Sequence, residues 1–197
     1  MKKVILNGCF GGYSWSRQGI VEYLKEVNRH EQIDVRYTKQ FCKWNGSKYH
    51  RGEIEYITPE EYVEIDRHAS YDGGYYEVGV TVNGYGFWDR GIERTDEYAI
   101  TVLEKYGTEF CSGDCASLYI DEYDDENYDW HIAEYDGSED LEMIPVVNPE
   151  KIDACKNTEE ILDYLESIDI KIRGRYYRWQ GENREKMNEQ YSADFYF

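Results

Sequence analysis

Ten residues near the amino terminus, Asn7-Gly-Cys-Phe-Gly-Gly-Tyr-Ser-Trp-Ser16, carry the densest set of chemistry-bearing side chains in the chain. Cys9 is a possible nucleophile. Gly11 and Gly12 permit close approach of backbone to a ligand. Ser14, Ser16 and Arg17 supply donors, and Tyr13 and Trp15 offer ring faces. The loop follows the apolar run Val4-Ile5-Leu6 and precedes a helical pattern over 17–27, with Ile20, Leu24 and Val27 at i, i+4, i+7. A glycine-rich turn running into a helix start presents free N–H groups and the positive end of the helix dipole.

Three readings of this stretch follow. In the structural one, the glycines make a turn and Cys9 is a small buried hydrophobe. In the anion-binding one, Gly11, Gly12, Tyr13, Ser14, Trp15, Ser16 and Arg17 hold a small nucleotide-like ligand, with rings stacked on a base and N–H groups on phosphate. The Lys-Ser/Thr ending of a P-loop and the spacing of a dinucleotide fingerprint are both missing. In the third, Cys9 is a thiol nucleophile activated near a helix start. A nucleophile needs a base, and His30, His50, His68 and His131 show no local pairing with Cys9. No catalytic residue other than Cys9 suggests itself.

Other clusters are weaker. Cys111 and Cys115 are too isolated from further Cys or His to form a zinc site. Between positions 121 and 142 stand eleven acids and no Lys or Arg. Within them, Asp121, Glu122, Asp124, Asp125, Glu126 and Asp129 lack the glycine and alternating ligands of a calcium loop. They read as a solvated face, or as a surface for a basic partner. Neither a metal nor a cofactor is expected. Lys171, Arg173, Arg175 and Arg178 sit among Tyr176, Tyr177 and Trp179, a composition suited to a small anion or to an acidic face.

The elements that must position these groups mix both types. Strands are expected over 2–6, 33–37, 75–82, 85–89, 116–123, 129–135 and 141–147. A hairpin of 41–44 against 48–57 turns at Asn45-Gly46. Thr58-Pro59-Glu60-Glu61 is a capping box with Pro at the first helical position, opening a helix to about position 67. Thr95 or Asp96 caps a helix stopped by Gly107, and Thr158 caps another over 159–168. Hairpins dominate, so the expected class is α+β, a mainly antiparallel sheet packed against three or four helices. Positions 1–170 are expected to form one domain, with 171–197 as a basic, aromatic extension.

Composition bounds the partners. The 197 residues carry a net charge of −19 and 16% aromatics, including 21 tyrosines. Such a chain folds and has no general affinity for nucleic acid or anionic membranes. No apolar run approaches the roughly 20 residues of a membrane span, and five cysteines without staple-fold density suggest reduced thiols in a cytoplasm.

Together with the amino-terminal loop, four segments carry a resemblance: Arg94-Thr95-Asp96; Val102 to Gly107; Ser112-Gly113 before Ala116-Ser-Leu-Tyr-Ile120; and Trp130-His-Ile-Ala-Glu-Tyr-Asp-Gly137. The chain resembles a family of small uncharacterised phage and bacterial proteins with an Asn-x-Cys-(Phe/Tyr)-Gly-Gly loop and a Trp-x-Ile-x-x-Tyr-Asp-Gly segment. The proline which that pattern carries after Arg-x-Asp is Glu97 here. The resemblance covers the first 16 or so residues and 94–142. It implies a phage or prophage context, a cytoplasmic setting and a small accessory role, and that context alone suggests counter-defence. The leading expectation is therefore a non-enzymatic binding protein for a small anionic ligand. An acidic inhibitor of a basic host protein comes second, and a Cys9-dependent enzyme third.

Overall fold

The computed structural model describes residues 1–66, 69–71, 73–124 and 126–168. The fold is α+β, and the chain divides into two compact units. The larger holds Lys2–Glu122 and Ile132–Leu141; the smaller holds Tyr123–His131 and 142–168, with Met1. No described helix is long and apolar enough to cross a membrane.

In the larger unit, strand β1 (Lys2–Asn7) pairs with β6 (Leu118–Tyr123). Val4, Ile5 and Leu6 are wholly buried, as their continuous apolar run requires of a strand covered on both faces. Helix α1 (Arg17–Glu31) buries Ile20, Leu24 and Val27 as its spacing predicts. Ser16, not Ser14, is its cap, accepting the Gly19 N–H. Gly19 is tolerated in the helix for a packing reason. A Cβ there would come within 3.0 Å of the Cys111 carbonyl and of the Trp15 ring, so the close neighbours are the backbone at Cys111 and an indole.

The expected strands 33–37 and 41–44 merge into one long strand, β2 (Val35–Trp44). It pairs antiparallel with β3 (Tyr49–Ile57) on one side and β4 (Gly74–Val82) on the other. Sheet order is β3-β2-β4-β5, where β5 is only Tyr85–Gly86. The chain leaves it into a short 3-10 turn, Asp89–Gly91, where a longer return strand was expected. Asn83 and Gly84 both have positive φ, the signature of the two-residue hairpin turn that Asn-Gly favours. Helix α2 (Pro59–Glu64) carries the full capping box of Thr58 and Glu61. Helix α3 (Glu97–Tyr106) is capped by Asp96, whose carboxylate accepts from Tyr98 and Ala99 N–H. A one-turn helix α4 (Thr108–Cys111), absent from the sequence pattern, follows at Gly107.

Strands β7 (Tyr128–Tyr135) and β8 (Ser138–Pro145) form a hairpin whose Asp136-Gly137 turn lies in the larger unit. The smaller unit contains the base of that hairpin with α5 (Pro149–Ala154) and α6 (Thr158–Ser167). Asn148 caps α5 ahead of a proline at its first position. Asn157, rather than Thr158, caps α6, because its side chain accepts the Glu160 N–H. Leu162, Leu165 and Ile168 are buried. The basic stretch with Lys171, Arg173, Arg175 and Arg178, and the rest of 171–197, lie outside the described residues.

Candidate functional site

The amino-terminal loop is held from beneath by Asn7, which has no exposed surface. Its side-chain amide donates to the carbonyls of Cys9 and Gly137, each at 2.6 Å, and its Oδ1 accepts the Ser117 N–H at 2.7 Å. Its own backbone N–H donates to Glu139 at 2.9 Å. Glu139, 3% exposed, also pairs with Arg94, whose guanidinium lies over the Tyr13 ring at 3.3 Å from the centroid. Segments far apart in sequence, around positions 7–13, 94 and 137–139, thus meet in one buried polar network. Two glycines make the approach possible. A Cβ on Gly11 would fall 1.8 Å from the Cys115 carbonyl, and one on Gly137 would fall 2.6–2.7 Å from the Gly12 nitrogen and Phe10 carbonyl.

Tyr13 and Trp15, expected as stacking surfaces, are core residues. The Trp15 indole N–H donates to the Tyr13 hydroxyl at 2.8 Å, so each ring buries its apolar body and satisfies the other's polar atom. Burial pushes the Tyr13 hydroxyl up to about 12, against the Trp15 hydrogen bond, which lowers it. Arg17 is also buried. Its Nη1 donates to the carbonyl of Tyr62 at 2.9 Å and to that of Ile65, at the carboxy-terminal end of α2, where a cation meets helix carbonyls favourably. These contacts correct the expectation of an exposed stacking and phosphate-binding set.

The turn leading into α1 is engaged as well, and the Gly19 N–H in the first turn is taken by the Ser16 hydroxyl at 2.9 Å. Ser16 N–H donates to the Cys111 carbonyl at 2.7 Å, and Trp15 N–H donates to the Asp89 carboxylate at 2.9 Å. Asp89 is 74 residues from Trp15 in sequence. The chain therefore brings its own anion to this helix end, and a second anion would face that charge.

Around this helix end the larger unit opens a cleft of about 980 Å³. Ser14, Ser16, Arg17 and Gln18 form one wall; α2 and the residues after it, the 75–80 stretch of β4, the 86–89 segment and the Gly113-Asp114-Cys115 turn form the others. Among the described residues, five acidic ones line it: Glu64, Asp66, Glu77, Asp89 and Asp114. Arg17 is the one Lys or Arg among the described lining residues. The aromatic lining includes Tyr75, Phe87 and Trp88, and Trp88 is 76% exposed. Glu77 accepts the Tyr49 hydroxyl at 2.8 Å and sits 3.3 Å from Arg51; these two contacts, the hydroxyl first, hold its carboxyl below the usual range. Carboxylates beside exposed ring faces attract cations, both by charge and through the π-face. Ser14 and Ser16 were expected here from sequence. The acids were not, because they come from separate elements with no local motif.

The other candidates are dispersed. Cys9 is half-buried and free. His30 stacks on Tyr98, His50 lies 2.6 Å from Asn45, His131 pairs with Glu142, and His68 lies outside the described residues. Cys111 is buried, its thiol pushed up to about 11 by desolvation, while Cys115 is exposed. Of the acidic run, Asp121 and Glu122 belong to β6 in the larger unit; Asp124, Glu126 and Asp129 belong to the smaller; Asp125 lies outside the described residues. Asp121, Asp124 and Asp129 accept backbone N–H groups within their own turns and strands at 2.8–3.0 Å. Among the described residues no three His, Cys, Asp or Glu side chains are grouped to hold a metal ion.

Comparison with family models, curated proteins and solved structures finds no match to this chain.

Proposed function

We propose that this is a non-enzymatic binding protein whose cleft takes positively charged groups of a partner protein. The observation that carries this reading is the lining: Glu64, Glu77, Asp89 and Asp114 with exposed aromatic faces around one cavity, and the one Lys or Arg among its described lining residues already donating to helix carbonyls. That balance favours a basic partner over the small anion suggested by the loop alone. Asp89 at the start of α1 reinforces it, since a bound phosphate would meet a carboxylate. The net charge of −19 adds long-range attraction for a basic surface. The resemblance to phage and bacterial proteins favours a host protein as the partner.

Calorimetry tests the reading with three probes: a short arginine-rich peptide, a glutamate-rich peptide and a nucleoside triphosphate, each at low and at high salt. Binding of the basic peptide alone, weakened by salt, is expected. Glu77→Gln with Asp114→Asn should weaken it. Binding of the nucleotide without the basic peptide would overturn the proposal in favour of anion capture.

A further inference from the structure

The four-stranded sheet ends on β5, but β5 covers only one corner of β4. β4 pairs with β2 along its whole length, from Gly74 to Val82. On the opposite side, β5 meets it only at Thr81 and Val82, extended by one bond from the Phe87 N–H to the Val80 carbonyl at 2.9 Å. At the far end Gly74 exchanges hydrogen bonds with Tyr71 at 2.7 and 2.8 Å. Backbone groups alternate sides along an antiparallel strand. Gly74, Tyr76, Val78 and Val80 therefore direct their N–H and C=O groups away from β2. Among the described residues, no backbone bond meets Tyr76 or Val78 on that side. This open stretch of edge is part of the cleft wall.

An open strand edge is a template for another strand. Here it lies among Glu64, Glu77, Asp89 and Asp114, with the Trp88 ring exposed nearby. We propose that the partner enters as an extended basic segment that adds a strand to β4 at Tyr76 and Val78. The proposal rests on the cation-binding reading above and supplies its mode. Backbone hydrogen bonds to Tyr76 and Val78 provide affinity that does not depend on sequence, and the carboxylates select lysine or arginine side chains. The volume agrees. A cleft of about 980 Å³ is at the top of the roughly 300–1,000 Å³ range of small-ligand sites, more than a lone ammonium needs.

The test uses the full chain and a short capped peptide alternating arginine and valine. Two N-methylated forms of it block one or the other set of alternate amides, leaving charge unchanged. Calorimetry at low salt should show the parent and one methylated form binding, with the other form weakened at least about tenfold. The Tyr76 and Val78 amides should gain hydrogen-exchange protection. Val78→Pro removes the donor on the open side and leaves the β2 ladder intact, so it should weaken the parent peptide similarly while a melting curve confirms folding. If that variant does not fold, the methylated peptides on the wild type decide. Both methylated forms binding like the parent, without amide protection, would overturn strand addition and leave cation binding standing. Spermine binding as tightly as the peptide would overturn it in favour of a small-cation site. No binding by any basic probe would remove the cation-binding reading itself.

Discussion

Asn7→Ala should be among the most destabilising substitutions in the chain. Asn7 is fully buried and satisfies three backbone groups through its side chain: the carbonyls of Cys9 and Gly137 and the N–H of Ser117. Alanine leaves all three without that partner. An unsatisfied buried polar group costs about 1–3 kcal/mol, and a carbonyl tolerates it better than an N–H. Taking the low end for the carbonyls and the middle for the amide, the loss is about 4 kcal/mol, set against a typical total of about 5–15 kcal/mol. Urea titration followed by far-ultraviolet circular dichroism measures it. A loss below about 1 kcal/mol would refute the argument.

Asn7→Asp sharpens the test. The Ser117 N–H keeps its acceptor, but a carboxylate oxygen now faces two carbonyls. That raises the folded-state pKa above the unfolded value of about 3.9. The penalty is then fully present at neutral pH and shrinks as pH falls through the folded-state pKa. The aspartate variant should approach the wild type on acidification, while the alanine deficit stays constant. The same pH dependence in both variants would mean that the side chain does not face Cys9 and Gly137 as described.

Further outcomes follow from the same packing. Gly11→Ala and Gly12→Ala should differ sharply in melting temperature. The first drives a Cβ into the Cys115 carbonyl and parts two segments of backbone; the second, at φ +82 in open space, costs only about 1–2 kcal/mol of left-handed strain. Stability should fall on the alkaline side. The Cys111 thiol is pushed from 9.0 to about 11 and the Tyr37 hydroxyl from 10.0 to about 12, burial being the first cause of each. The unfolded chain then ionises first, and stability is lost as pH rises from about 9 towards 12. Melting temperatures across that range check this, and Cys111→Ala should flatten the first part of the decline. Arg17→Met should release the end of α2 and lower stability by about 1–3 kcal/mol, read by urea titration. An unchanged midpoint would mean that the contacts with Tyr62 and Ile65 contribute nothing.

The charge of the cleft changes how the amino-terminal loop is understood. A glycine turn before a helix invites an anion reading because free N–H groups and a dipole are local properties. What surrounds those donors is not local. Asp89 takes the Trp15 N–H, and Cys111 takes that of Ser16. The rings of Tyr13 and Trp15 could not be placed from sequence either, because aromatics with polar tips serve surfaces and cores alike. Their mutual hydrogen bond makes the core affordable.

The sequence by itself determined what depends on a few neighbouring residues. The apolar run of β1, the helical stripe of α1, the Thr58 capping box, the Asn83-Gly84 turn and the net charge were all legible, because dihedral preference, periodicity and charge are local or additive. Tertiary structure decided the rest. It fused two expected strands into β2, since one strand can serve two partners only when both are in place. It brought Gly137 to Asn7 across 130 residues and Arg94 onto Tyr13. It also gathered acidic residues from four separate stretches beside a β4 edge that no described strand covers at Tyr76 and Val78. Buried polar groups must be satisfied wherever the fold places them, and an edge is open only if nothing else reaches it. Both conditions are set by packing at long range, which no short window of residues records.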